Sequence, residues 1–159
     1  MIRPAALALL MATSATAEQH LAELHAGILA CDDLSCIGAA AQLCMEMTER
    51  GQSTAGMVDC MAQETAVWDD LLNATYGDVI AMMRAGDAAD AETAPEYAVR
   101  EDSLRAAQRA WITFRDANCR ADHAVWGSGS MRRIAGASCM LQMTAERTLD
   151  LRDYLEMFP

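Results

Sequence analysis

Lysine is absent from the 159-residue sequence: all 12 basic residues are arginine, set against 23 acidic residues for a formal charge of −11. Nucleic acid and anionic lipid are bound by neutralising phosphates, so a surface this acidic argues against both and favours encounter with cationic partners. The same charge also keeps an exported chain soluble. Proline is scarce, with three residues, and strand-type alternation of polar and apolar positions is missing, which points away from β-sheet. No apolar run approaches the roughly 20 residues that span a bilayer. There is no Gly-x-Ser-x-Gly, no phosphate-binding glycine loop and no histidine in an acid–base motif. Paired carboxylates such as Asp69-Asp70 are common on exposed helix faces and do not by themselves make a glycosidase. The expectation is a protein that is not an enzyme and carries no cofactor.

The N-terminus has an export pattern. Arg3 supplies a positive charge, Ala5 to Ala12 form a short apolar stretch, and Ala15-Thr16-Ala17 make a small-x-small box. Residues 1–17 are therefore expected to be a signal peptide cleaved after Ala17, leaving residues 18–159 as one domain. The box lacks a lipoprotein cysteine, so the product is expected in the periplasm or the medium. Loss of Arg3 makes the remainder one unit more negative.

Six cysteines follow. An even count in an exported chain indicates disulfides. Metal ligation is the competing reading, but the spacings match no common zinc pattern and His20, His25 and His123 alone could assist. Across a helical hairpin, residues equidistant from the turn lie side by side. Cys44 and Cys60 flank Gly51, and Cys119 and Cys139 flank Trp126-Gly127-Ser128-Gly129-Ser130, so each pair is expected to bridge. Cys31 and Cys36 can close on each other around four residues, though the first helix could instead be pinned elsewhere.

Helix formers dominate the remainder. A short helix is expected over 18–30, and a second from an Asp32 or Asp33 cap to Arg50. A third runs from Ser53 or Thr54 to Ala85-Gly86, with Met57, Met61, Trp68, Leu71, Thr75, Val79 and Met82 on one stripe and Glu64 as its polar intruder. Residues 87–92 read as an acidic linker, and Thr93, Pro95 and Glu96 as a capping box. The next helix places Leu104, Ala107, Trp111, Phe114, Ala121 and Val125 on a core stripe. The last runs to about Glu156, with Ile134, Met140 or Leu141, Thr144, Thr148, Leu151 and Leu155 inward. The fold class is all-α: a disulfide-stapled up-down helical bundle of four main helices plus a short N-terminal one.

Spacing brings polar residues together inside this bundle. Asp69, Asn73 and Tyr76 share a face, as do Gln108, Trp111, Arg115 and Cys119. Antiparallel pairing sets Asn73 opposite Gln108, Asp69 or Glu64 opposite Arg115, and Arg147 near Gln108. This layer of Asp69, Asn73, Tyr76, Gln108, Trp111, Arg115 and Arg147 either fixes helix register or forms a ligand or partner site. The loop Trp126, Gly127, Ser128, Gly129, Ser130, with Arg132 and Arg133 behind it, is either a turn whose serine caps the next helix and whose tryptophan packs inward, or a partner-binding tip with an aromatic anchor. Met45 with Met47, Met82 with Met83, and Met140 with Met143 admit a third possibility, soft-metal binding in the periplasm, although methionine in a helical stripe is usually core filler.

The segments Trp68-Asp69-Asp70-Leu71-Leu72-Asn73-Ala74-Thr75-Tyr76 and Leu104 to Cys119, followed by Gly127-Ser128-Gly129-Ser130, Cys139 and Arg147, resemble the exported domain named for the lysozyme inhibitor LprI. That domain carries Asp-x-x-Leu-Asn-x-x-Tyr, Leu-x-x-Ala-Gln-x-x-Trp-x-x-Tyr-Arg-Asp-x-x-Cys and a Gly-Gly-Ser loop before a second cysteine. The resemblance covers roughly 44–155. This chain departs in Phe114, where the family has tyrosine, and in its Gly-Ser-Gly-Ser loop. The resemblance implies a cysteine-stapled helical domain in the cell envelope and a c-type or other basic lysozyme as partner. An envelope structural or interaction protein with another partner is the alternative.

Overall fold

The computed structural model describes residues 25–157. The expected signal peptide and most of the expected first helix lie outside them; residues 25–29 of that helix are helical. All regular structure among the described residues is helical: α1 (Ala39–Met47), α2 (Thr54–Asp90), α3 (Arg100–Val125) and α4 (Met131–Met157), with short 3₁₀ turns at Leu34–Cys36 and Pro95–Tyr97. The topology is up-down. α2 and α4 run parallel at the centre, α1 folds back on α2, and α3 packs mainly against α4. Among the described residues no helix is long and apolar enough to cross a membrane.

Three disulfides staple this frame, joining Cys31 to Cys36, Cys44 to Cys60 and Cys119 to Cys139, with Cα–Cα separations of 5.8, 5.7 and 5.4 Å. The α1–α2 turn closes tightly because Gly51 lacks a side chain: a Cβ there would collide with the Met45 carbonyl. The core forms two clusters. One gathers Trp68, Leu141 and Ala145 with Ile28, Cys44 and Cys60; the other gathers Leu72, Val79, Ile80, Leu104 and Leu151. Thr148, fully buried, packs α4 on α2, its hydroxyl 3.0 Å from the Thr144 carbonyl of its own helix and 3.3 Å from the Trp68 carbonyl. Arg152 reaches back to the Cys31 carbonyl at 2.6 Å, fixing the N-terminal loop to α4.

Four details differ from the sequence expectations. The second helix starts later, at Ala39, because Asp33 caps a 3₁₀ turn inside the Cys31–Cys36 loop and Gly38 then takes a left-handed φ of 88°. α2 does not stop at Gly86 and residues 87–90 are not linker, because the carboxylates there have tertiary partners. Asp87 accepts from the Arg100 and Glu101 amides at 3.0 and 2.9 Å, and Arg100 pairs with Asp87 and Asp90. The last turn of α2 thereby caps α3, and Thr93 and Glu96 form no capping box: α3 begins at Arg100 and Ala94 heads a 3₁₀ turn with no side-chain cap. α3 is also rotated from the expected stripe. Leu104, Gln108 and Cys119 are buried, while Ala107, Phe114, Ala121 and Val125 face outward, Phe114 at 61 % and Val125 at 81 % exposure.

Candidate functional site

The rotation of α3 turns its polar stripe into the bundle. Arg147 of α4 donates through Nε to Gln108 Oε1 at 3.0 Å. Arg115 donates to Thr144 Oγ1 at 3.4 Å, pairs with Asp116 at 3.0 Å and stands 3.9 Å from Asp69. Both guanidinium groups lie over the Trp111 ring, 5.0 Å from its centroid for Arg115 and 5.9 Å for Arg147. Cation–π attraction strengthens with desolvation, and these side chains are only 14 % and 13 % exposed. Asn73 does not reach Gln108; it is exposed and donates to Asp69 at 3.2 Å on its own helix. Tyr76 is half-buried against the second core cluster.

Glu64 is not part of this layer. It is buried at 2 % exposure beneath the start of α1. Its carboxylate accepts from the amides of Gly38 at 2.8 Å and Ala41 at 2.7 Å and from Trp68 Nε1 at 3.1 Å. Those amides open α1, where unpaired N–H groups and the helix dipole favour an anion. Glu64 therefore clamps α1 onto α2 beside the Cys44–Cys60 bridge and lines a cavity of about 140 Å³ with His25, Ile28 and Val67. Glu64 stands out in the sequence as a polar intruder, but its partners do not, since nothing in the α1 segment marks its amides as the ones seeking an acceptor.

The loop between α3 and α4 is exposed throughout, from Trp126 at 48 % exposure to Arg133. Gly127 turns the chain with φ of 53°, a value glycine adopts without strain. Trp126 does not fold back into the core. No hydrogen bond among the described residues engages the hydroxyl of Ser128 or Ser130, so neither serine side chain caps α4. Arg132 donates to His123 Nε2 at 3.1 Å, and Arg133 stays exposed. Open grooves flank the Cys119–Cys139 bridge below the loop. One, of about 430 Å³, runs beside Trp126 and is lined by Asp122, Val125, Ser138 and Gln142. The other, of about 460 Å³, is lined by Asp116, Arg120, His123 and Met140. Met143 instead packs on the bridge, its sulfur 3.8 Å from both cysteine sulfurs, so the two thioethers that helical spacing pairs are drawn to different surroundings. Met45 is buried in the core.

Charge is distributed unevenly over these elements. α2 carries seven carboxylates against Arg84, whereas α3 and α4 together carry nine of the 12 arginines. The loop thus projects aromatic, hydroxyl and guanidinium groups from the less acidic half of an acidic molecule.

A family model described as lysozyme inhibitor LprI matches residues 44–151. The matched span includes two of the three disulfides, the layer around Trp111 and the whole α3–α4 loop. An uncharacterized protein of Rhizobium meliloti (strain 1021) is 34 % identical over 97 residues, covering 61 % of this chain and 70 % of that protein. No solved structure matches.

Proposed function

The chain belongs to the lysozyme inhibitor LprI family, and from that premise we propose that it is an exported, single-domain binding protein that blocks a cationic muramidase, a c-type or other basic lysozyme. The observation that carries the reading is the exposed loop Trp126 to Ser130 at the end of a hairpin clamped by Cys119–Cys139. A muramidase cleft is lined by carboxylates and shaped for a sugar chain. A tip that fills it must offer hydroxyls and an aromatic face in place of the sugar, and guanidinium groups toward the carboxylates. Trp126, Ser128, Ser130, Arg132 and Arg133 supply that set, all exposed. The disulfide at the base holds the tip in place, which lowers the ordering entropy of binding. The net acidic charge of the molecule supplies long-range attraction to the basic rim of the enzyme. The layer around Trp111 acts as a register device, since its guanidinium groups are largely buried and already paired.

The test is capture of the oxidised protein on immobilised lysozymes of several types, at low and high salt, together with assay of their muramidase activity. Binding that blocks activity, with association slowed but not abolished by salt, supports the reading. Failure to bind any basic lysozyme would overturn it in favour of an envelope protein with another partner.

A further inference from the structure

By turning its polar stripe inward, α3 leaves an apolar one outside. Ala107, Ala110, Phe114, Ala117, Ala121 and Val125 are all exposed and follow one another at steps of three and four, and none carries charge. A seam with a mean repeat near 3.5 residues is what one helix presents to another in a coiled coil. Here no other element of the described chain covers it. Phe114, at 61 % exposure, is the large residue at its centre.

We infer that this seam pairs with a second copy of the chain, two α3 helices packing antiparallel about a two-fold axis near Phe114. A two-fold interface requires a patch that matches itself on reversal. Ala107 and Ala121 stand equally far from Phe114 on either side, and Ala110 and Ala117 flank it closely. Small residues around one aromatic let the helix backbones approach while the two Phe114 rings meet. Charge favours the same face. Two copies this acidic repel, but the five arginines of α3 offset its four carboxylates, so the seam lies on an element without net negative charge. Antiparallel alignment also opposes the helix dipoles favourably.

The size of the seam sets the strength of the dimer. From Ala107 to Val125 it is about 27 Å long and about 11 Å wide, on the order of 300 Å² per copy. This is at the low end of transient interfaces, so the dissociation constant is expected at roughly 10–500 μM. In such a dimer the two Trp126 loops lie at opposite ends. The inference does not rest on the lysozyme reading.

The test is sedimentation velocity of the oxidised protein over a range from about 5 to about 500 μM. The parent should shift from monomer toward dimer as concentration rises. Phe114→Arg should remain monomeric across the range with an unchanged helical circular-dichroism spectrum. Ile112→Arg, which alters another exposed apolar residue about 200° away around α3, should dimerise like the parent. A parent that stays monomeric at the highest concentration, a Phe114→Arg variant that dimerises normally, or an Ile112→Arg variant that loses the dimer equally would each overturn the inference.

Discussion

Removing the Glu64 carboxylate tests how the N-terminal third of the bundle is held. One oxygen serves Gly38 and Trp68 and the other serves Ala41, three donors within a buried junction. A hydrogen bond to a charged acceptor contributes about 1.5–3 kcal/mol net, and donors left buried without an acceptor add their own desolvation cost. These effects are not additive, and burial of the charge opposes them. Glu64→Ala, which also enlarges the adjoining cavity, is expected to cost about 3–4 kcal/mol. Glu64→Gln keeps one acceptor oxygen and should cost about 1–2 kcal/mol. Because Cys44–Cys60 still tethers α1 to α2, part of the loss should appear as local opening. Urea unfolding of the oxidised protein measures the global part; hydrogen exchange at the amides of Gly38 and Ala41 measures the local part. Asp70→Ala, exposed on the same helix, serves as a control and should stay within about 0.5 kcal/mol of the parent. If both Glu64 variants also fall within about 0.5 kcal/mol and leave amide protection unchanged, the clamp argument is wrong.

The orientation of α3 predicts opposite outcomes for its two large aromatics: Phe114→Ser should change stability by less than about 1 kcal/mol in urea unfolding, while Trp111→Ala, which removes the ring that both guanidinium groups lie over, should cost about 2–4 kcal/mol. Acid should loosen the α2–α3 connection. Hydrogen bonds from Arg84 and Arg105 hold Glu101 at about 2, below its ordinary 4.5. For Asp87, burial pushes the carboxyl up, but the Glu101 and Arg100 amides and the Arg100 guanidinium outweigh it and the net shift is downward. Groups depressed in the folded state stabilise it above their unfolded values and lose that contribution as pH falls through the folded ones. Protection of the amides near Arg100, taken relative to the intrinsic exchange rate at each pH, should therefore fall as pH drops from about 4.5 toward about 2, and Glu101→Gln should flatten that dependence; a profile identical to the parent's would refute the assignment.

The cysteine pairing and the helical architecture were legible because both follow from local rules: a break in periodicity locates a turn, and equal distances from it locate the bridge. The meeting of Arg147 with Gln108 and of Arg115 with Asp69 followed from the same symmetry. The phase of α3 was legible only in part, because the sequence supports two inward stripes at once. An apolar stripe of Phe114 with alanines competes with a mixed stripe of Leu104, Gln108, Trp111, Arg115 and Cys119, and composition alone favours the first. What decides is tertiary: Cys119 must face Cys139, and that bridge fixes the rotation of the whole helix. The extension of α2 was hidden for a similar reason, because Asp87 and Asp90 read as solvent-seeking linker residues until Arg100 and the α3 amides are placed beside them. Glu64 stood out as a polar residue in an apolar stripe, yet its partners lie in a turn with no pattern of its own.

The most direct test of the functional account is the inhibition constant for a basic lysozyme measured with the parent and with Trp126→Ala. Trp126 is half exposed at the end of a disulfide-clamped hairpin, where substitution leaves the core untouched. The account predicts that Trp126→Ala weakens inhibition by about 1–3 kcal/mol, roughly a 5- to 150-fold rise in the constant, with unfolding stability unchanged. Inhibition equal to the parent's, with the loss appearing instead on charge reversal of the exposed Asp59, Asp70 and Asp78, would contradict it and move the contact from the loop to α2.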